Sequence, residues 1–184
     1  GIRLACADGA EGETVEPVNF NAPNQTVIAG HAGAVRRATE AAKARGAKRA
    51  VLLPVSAPFH CTLMRPAAVR LEQALREVRL RRPAIPVISN ADVACHEDPE
   101  QIADALVRQA YSPVRWTDTI RLIAGRGVSR VVECGPGEVL APLVKRIDRE
   151  CVGATIADAD AIEKCLNELG RSKPRAGRER HRAR

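Results

Sequence analysis

The stretch Ala50-Val51-Leu52-Leu53-Pro54-Val55, followed by Pro58-Phe59-His60-Cys61-Thr62-Leu63-Met64, predicts the fold class of this chain. The first segment has the apolar run of a buried strand, and apolar side chains recur at helical spacing from Met64 to Leu80. A strand that passes directly into a helix is typical of an α/β protein. Ligands of open α/β sheets bind at the carboxyl ends of strands, so His60 lies at a position typical of active-site residues.

Strands and helices also alternate on both sides of this stretch. Val15–Phe20 and Gln25–Ala29 predict two strands joined by a turn, and the following helix ends at Gly46 in the C′ position. The later segments predict, in order, a strand, two helices, a strand, a helix, a strand and a helix: Ile85–Ser89, the segment opened by Pro99, Trp116–Ala124, Val128–Glu133, the segment after Leu140, Ala154–Ala157 and Ala161–Leu169. We therefore predict a mainly parallel sheet covered by helices.

The first third of the chain, with a strand predicted over 49–55, has the order β-β-α-β. This order is similar to a ferredoxin-like βαββαβ unit without its first strand and part of its first helix. A complete unit should not lack a strand, and the sequence begins with Gly1 rather than Met. We expect the chain to be processed or to be a piece of something longer.

The positive charge is concentrated at the C-terminus. Residues 171–184 contain seven basic residues and one acidic residue, so they contribute +6 of the net charge of +7. This tail has almost no apolar residues, which predicts disorder. The nearly neutral body argues against a nucleic-acid partner. We expect no membrane partner either, because no apolar stretch approaches the ~20 residues of a membrane span.

The cysteines predict neither a metal site nor a redox site. No two of them have C-x-x-C spacing, so we expect no metal and no cofactor. Without a secretory signal, reduced thiols in a cytoplasm are the expectation. Cys61 is interpreted as a packing residue, because adjacent residues rarely place both side chains in a nucleophile–base geometry. The six cysteines are Cys6, Cys61, Cys95, Cys134, Cys151 and Cys165.

His60 is the candidate general base, because an imidazole can take or give a proton near neutral pH. The alternative is a histidine at a helix start that hydrogen-bonds to nearby backbone. A catalytic histidine needs a partner that orients its ring, either a carboxylate or a carbonyl. Gln109 is a candidate, since it shares a helical face with Ile102 and Leu106. Its alternative is a helix-end amide that bonds to local backbone.

Three other features could contact a ligand. Asn19 and Asn21 could donate hydrogen bonds to a substrate, or Asn21 could form an Asx turn before Pro23. Phe59 is placed to line a pocket beside His60. Gly135-Pro136-Gly137 lacks the spacing of either common phosphate loop, so it predicts a strand-to-helix turn with Pro near the first helical position.

Several motifs, taken together, resemble the malonyl-CoA:acyl-carrier-protein transacylases of fatty-acid synthesis. The resemblance covers roughly Val15 to Ile147 and is to the C-terminal part of that family. The motifs occur in this order: Pro17-Val18-Asn19-Phe20-Asn21-Ala22-Pro23, Val27-Ile28-Ala29-Gly30-His31, Gly46-Ala47-Lys48-Arg49, Pro54-Val55-Ser56-Ala57-Pro58-Phe59-His60-Cys61-Thr62-Leu63-Met64 and Gly135-Pro136-Gly137-Glu138-Val139-Leu140.

The resemblance implies an α/β fold in two parts. One is an α/β-hydrolase-like parallel-sheet subdomain, and the other is a ferredoxin-like small subdomain, here incomplete. We expect the small subdomain at 1–56, part of the large one at 57–170 and the basic tail at 171–184.

The resemblance also implies ping-pong acyl transfer, in which a serine takes malonyl from CoA and passes it to the phosphopantetheine thiol of acyl carrier protein. His60 matches the general base, Gln109 the residue whose carbonyl orients it, and Phe59 a position that shapes the acyl pocket. Malonyl-CoA and acyl carrier protein are therefore the expected partners. The further assignments are Asn19, Asn21 and Val139 to substrate, and Lys48 and Arg49 to CoA or the carrier protein.

The sequence departs from the family in lacking a G-x-S-x-G nucleophile elbow. The family's Gln-rich oxyanion motif and its carboxylate-binding arginine are also not found. We expect this chain to supply only the histidine half of the site and to be inactive alone. The alternatives are a polyketide synthase acyltransferase domain and a non-catalytic fragment that binds acyl carrier protein or CoA. A longer reading frame that contains G-x-S-x-G would favour the enzyme.

Overall fold

The computed structural model describes residues 1–171 and forms two compact units, one comprising Gly1–Trp116 and one beginning at Thr117. The first unit has a two-stranded sheet, four α-helices and one 3-10 helix. Its strands are β1 (Val15–Ala22) and β2 (Gln25–Gly30), and its helices are α1 (Ile2–Ala10), α2 (Ala32–Ala44), the 3-10 turn Thr62–Met64, α3 (Arg65–Leu75) and α4 (Pro99–Gln109).

The core of the first unit lies where α1 and α2 pack on the β1–β2 hairpin. Cys6, Val15, Ala34 and Ala38 are buried together there. The two helices approach closely at Gly9, where a Cβ atom would lie 2.3 Å from the backbone nitrogen of Ala38. Small side chains on both helices therefore allow this contact.

The two predicted turns of the first unit are confirmed. β1 and β2 are antiparallel, and Ala22 pairs with Gln25 across the turn Pro23-Asn24. Gly46 lies two residues after the end of α2, directly after the C-cap Arg45, and its φ of +87° is a conformation that favours glycine. The N–H of Ala47 donates to the carbonyl of Ala42, which completes a Schellman cap.

The second unit has a parallel pair of strands with helices before, between and after them. α5 (Trp116–Gly125) enters it from the first unit, and β3 (Arg130–Cys134) pairs in parallel with β4 (Val152–Ile156). α6 (Ala141–Ile147) connects the strands, and α7 (Ala159–Arg171) follows β4. This strand–helix–strand connection confirms the predicted α/β class.

Two predicted strands, at 49–55 and 85–89, are wrong for this structure. Residues 49–55 form no strand, and Ile88 makes only an isolated bridge to Cys95. Most apolar side chains of the two segments are exposed, Ile85 by 76%, whereas Ile88 is half-buried. A strand needs hydrogen bonds to a neighbouring strand, and among residues 1–171 neither segment has one.

Helix boundaries and the ends of the chain also differ from the prediction. The helix expected to reach Leu80 ends at Leu75, and α1 precedes β1, where the ferredoxin-like unit was expected to retain only part of its first helix. The tail was expected from residue 171, but α7 includes Arg171 and the rest of the tail lies outside the described residues. The predicted subdomain boundary at 56/57 differs from the division into compact units at Trp116 and stays a prediction. No helix among residues 1–171 is long and apolar enough to cross a membrane.

Candidate active site

His60 and Gln109, the two predicted catalytic residues, contact each other in the first unit. The Nδ1 atom of His60 lies 3.0 Å from the main-chain oxygen of Gln109 and 3.3 Å from its side-chain Nε2 atom. Gln109 is the last residue of α4. The last carbonyls of a helix have no partner within the helix, so this oxygen is available to the imidazole.

The two contacts at Nδ1 correspond to different tautomers of the ring. If Nδ1 carries the proton, it donates to the carbonyl of Gln109 and leaves Nε2 with a free lone pair. If Nδ1 is unprotonated, it accepts from the Gln109 amide and Nε2 carries the proton. Only the first tautomer makes Nε2 a general base. The shorter distance, 3.0 Å, favours that tautomer.

The backbone at His60 has an unusual conformation. Its φ is +65°, in the left-handed region that non-glycine residues rarely occupy. The next residue, Cys61, is fully buried (0% exposed), and its Sγ atom accepts the N–H of Leu63 at the start of the 3-10 turn. The buried Cys61 side chain therefore anchors the turn that carries His60.

Cys61 is unsuited to be the nucleophile. Burial is the main cause that raises the pKa of its thiol, and the nearby Glu16 carboxylate raises it further against the lowering effect of the Leu63 N–H. A raised pKa disfavours the reactive thiolate. The structure therefore agrees with the interpretation of Cys61 as a packing residue.

The segment that follows α4 is tied to β1. The N–H of Phe20 donates to the carbonyl of Val114 at 2.9 Å, and the N–H of Val114 donates to the carbonyl of Val18 at 2.8 Å. These bonds place the end of α4 beside β1. The guanidinium of Arg65, at the start of α3, also lies 4.6 Å from the ring centre of Tyr111.

The other predicted residues of the first unit lie on β1 and in two loops. Asn19 and Asn21 are half-buried on β1, where Asn19 pairs with Val27 and bridges to Val114. Phe59 is 54% exposed beside His60. Lys48 and Arg49 are exposed in the loop after α2. Of all the predicted residues, His60 and Gln109 are the pair that a hydrogen bond joins.

Val139 belongs to the second unit, in the turn that joins β3 to α6. It is exposed, and its N–H donates to the Glu133 carboxylate, as do the N–H groups of Leu140 and Ala141. These three bonds lower the pKa of Glu133, and the bond from Ala141 has the largest effect. The predicted strand-to-helix turn is thus confirmed, but the proline near the helix start is Pro142, because α6 begins at Ala141.

A polar cluster next to the site was not predicted from sequence. Arg108, the residue before Gln109, donates to Asp92 at 2.8 Å and to Asp104 at 2.7 Å, and His96 lies 3.0 Å from Asp92. Partial burial acts to raise the pKa of Asp92, but hydrogen bonds from Arg108, Ser89 and His96 outweigh it and lower that pKa well below its usual range. The cluster joins the end of α4 to the loop at 89–96.

Comparison with known proteins extends the resemblance found in the sequence. No protein-family model matches the chain. It is 48% identical over 167 residues, 91% of its length, to the malonyl CoA-acyl carrier protein transacylase of Salmonella typhimurium LT2. It is 50% identical, with a TM-score of 0.88 over 89% of its length, to an acyl carrier protein S-malonyltransferase from Vibrio cholerae. The chain is homologous to part of a malonyl CoA-acyl carrier protein transacylase.

The similarity covers only part of the length of these relatives. The chain spans 54% of the Salmonella transacylase and 54% of the Vibrio cholerae structure. It also matches a type II PKS acyl-carrier protein complex with its malonyl-transacylase, at 47% identity and a TM-score of 0.89. The resemblance to malonyl transacylases and the mixed α/β fold are therefore confirmed, and the chain spans about half the length of the relatives it matches.

The Asp92 cluster predicts a specific loss of stability in acid. Because the pKa of Asp92 is lowered in the folded chain, its contribution to stability is present above the unfolded pKa of about 4 and is lost as pH falls further. Asp92→Asn should therefore reduce the urea-unfolding free energy at pH 7, and the difference from the unmodified chain should shrink towards pH 2. Asp104→Asn removes a more exposed partner of Arg108 and should have a smaller effect. A pH-independent difference for Asp92→Asn would contradict this assignment.

Proposed function

We propose that this chain supplies the general-base half of a malonyl transferase that moves malonyl from CoA to the phosphopantetheine thiol of acyl carrier protein. The observation that carries the proposal is the 3.0 Å contact between His60 Nδ1 and the main-chain carbonyl of Gln109. A carbonyl at Nδ1 fixes the tautomer in which Nε2 accepts a proton. No carboxylate is needed for this purpose.

In the first half-reaction, Nε2 of His60 removes the proton from a serine hydroxyl outside this chain. The serine oxygen attacks the thioester carbonyl of malonyl-CoA, and the tetrahedral intermediate collapses as the C–S bond breaks. The CoA sulfur leaves with the proton that Nε2 took. The products are a malonyl ester on the serine and free CoA.

In the second half-reaction, the same nitrogen acts on the carrier protein. Nε2 removes the proton from the phosphopantetheine thiol, and the thiolate sulfur attacks the serine ester. The C–O bond to serine breaks, and the serine oxygen recovers the proton from His60. Because α4 ends at Gln109, its negative helix terminus attracts the positive charge that forms on the ring in both halves.

The substrate contacts remain part of the proposal. Phe59, adjacent to His60, would line the space around the α-carbon of the acyl group, and Asn19 and Asn21 would contact substrate. The assignment of Val139 to substrate stays a prediction of the resemblance. Lys48 and Arg49 are exposed cations, which suits contact with the phosphates of CoA or with acyl carrier protein. We also propose the cytoplasm as the compartment, which fits the six free cysteines.

The exposed apolar segments suit the attachment of the serine-bearing part. Val51, Leu52, Leu53 and Val55 are each more than half exposed, as are Ile85 and Val87. Both segments have the composition of strands but no neighbouring strand among the described residues. We propose that the serine-bearing part provides the missing pairing partners.

The test is to rebuild the enzyme. The completed enzyme is this chain joined to the part of the Vibrio cholerae malonyltransferase that it does not match. With radiolabelled malonyl-CoA, the completed enzyme should form a covalent malonyl ester and transfer it to holo acyl carrier protein. This chain alone should leave no covalent label, because it has no G-x-S-x-G serine.

Two results would contradict the proposal. A stable acyl-enzyme on this chain alone would assign the nucleophile to Cys61 or to one of its own serines. The completed enzyme could also fold and bind malonyl-CoA but never form the ester. This chain would then have only a binding role. Comparing a fatty-acid carrier protein with a polyketide carrier protein as acceptor distinguishes the two biosynthetic settings.

A further inference from the structure

Glu16 makes a two-point contact with the turn that carries His60. One carboxylate oxygen accepts the N–H of Thr62 at 2.8 Å, and the other accepts the hydroxyl of Thr62 at 2.8 Å. Glu16 is on β1, 46 residues away in sequence, and the contact is partly buried. Hydrogen bonds to an ionised carboxylate are stronger than those between neutral groups.

The position of Thr62 makes this contact important for His60. Thr62 is two residues after His60, whose left-handed φ of +65° costs conformational free energy in a non-glycine residue. Such a conformation persists only where the surroundings impose it. Apart from the His60–Gln109 contact, the other hydrogen bonds described for residues 58–64 are local, such as that from the N–H of Cys61 to the carbonyl of Pro58 at 3.3 Å. The Glu16 contact is the bond that connects the turn to β1.

The segments that carry the two partners of the His60–Gln109 hydrogen bond both contact the strand β1. Val18 and Phe20 of β1 hold Val114, which follows the end of α4, by two backbone hydrogen bonds. Glu16, on the same strand, holds the turn that follows His60. β1 therefore supports both sides of this pair, through the Glu16 contact on the His60 side and two backbone hydrogen bonds on the Gln109 side.

We propose that Glu16 is a positioning residue, whose carboxylate fixes the His60 turn on β1 so that Nδ1 meets the carbonyl of Gln109. Its effect on catalysis rests on the proposed function of His60, but its effect on the imidazole does not. Loss of the carboxylate should free the turn and allow the ring to leave the Gln109 carbonyl.

The first experiment measures the imidazole directly, in this chain without substrate. Nitrogen-15 NMR of the histidine rings reports which nitrogen is protonated and whether Nδ1–H is hydrogen-bonded, and His60→Ala assigns the signal. Glu16→Ala should shift the His60 signals towards a mixture of tautomers. Glu16→Gln should retain the unmodified spectrum, because a glutamine can accept from the Thr62 N–H and donate to its hydroxyl. Glu13→Ala, which removes a surface ion pair with Arg37, is the matched control and should leave His60 unchanged.

The second experiment measures turnover of the completed enzyme. Glu16→Ala should lower kcat by about 10- to 100-fold, the size expected for a small misplacement of a catalytic group, with little change in KM. Glu16→Gln should recover most of the loss. Thr62→Val, which removes only the hydroxyl bond, should lower kcat by a smaller factor. It replaces Glu16→Ala in this test if the latter variant does not fold.

The outcomes separate this proposal from the proposed function. If Glu16→Ala and Thr62→Val lower the melting temperature but leave the His60 signals unchanged, Glu16 is only structural and the proposal is wrong. If the signals shift while the unmodified completed enzyme transfers no malonyl, the positioning role holds and the proposed function fails.

Discussion

His60→Ala should lower kcat of the completed enzyme by about 10²–10⁴-fold, the usual contribution of a positioned general base. The alanine leaves both the serine hydroxyl and the incoming thiol without a proton acceptor, so both half-reactions should slow. KM for malonyl-CoA should change little, because the proposed role of the imidazole is proton transfer rather than substrate binding. Single-turnover labelling with malonyl-CoA and discharge to holo carrier protein measure the two steps separately.

Gln109→Ala is the matched control for this result. The substitution keeps the main-chain carbonyl that contacts Nδ1 and removes only the side-chain amide at 3.3 Å. Its effect should therefore be much smaller than that of His60→Ala. Unchanged turnover in His60→Ala would remove His60 from the mechanism. Equal losses in the two variants would assign the orienting role to the amide side chain instead of the carbonyl.

The sequence predicted both members of the proposed catalytic pair, His60 and Gln109. His60 follows an apolar run and precedes a helical pattern, and Gln109 lies on the apolar face of α4 near its end. Each position could be proposed from local periodicity. Their pairing came from the family resemblance, since local patterns do not reveal contacts between residues 49 positions apart.

The strand predictions illustrate where local patterns fail. The hairpin β1–β2 formed as expected because both strands and their turn are adjacent in sequence. The segments at 49–55 and 85–89 have comparable composition but no partner strand among residues 1–171. Apolar composition alone cannot satisfy backbone hydrogen bonds, so these segments are exposed loops.

The contacts that support the site were also beyond the reach of sequence patterns. The sequence predicts Glu16 only as part of a strand, and nothing in its neighbourhood indicates a bond to Thr62. Arg108 and Asp92 are ordinary surface residue types, and their ion pair depends on how the loop before α4 folds back. The sequence offered only a weak indication of these contacts. Glu16 precedes the motif that begins at Pro17, and Arg108 precedes Gln109.

The last prediction concerns the choice of acyl group and depends on Phe59. The completed enzyme should prefer malonyl-CoA over methylmalonyl-CoA, because an aromatic ring beside His60, the proposed general base, would leave little room for a methyl group on the α-carbon. Discrimination on one methyl is typically about 10–200-fold in kcat/KM. Phe59→Ser should narrow that ratio by removing the clash.

An alternative role for Phe59 is packing between the loop and the helix that follows it. Its exposure of 54% argues against that role, since a packing side chain should be buried. Val78→Ser, at a similarly exposed apolar position in the same unit, is the control and should leave the ratio unchanged. Measuring kcat/KM for both acyl-CoA substrates in the unmodified enzyme, Phe59→Ser and Val78→Ser distinguishes the two roles of Phe59. A ratio that Phe59→Ser does not alter, with reduced stability, would exclude Phe59 from the specificity pocket and assign it to packing.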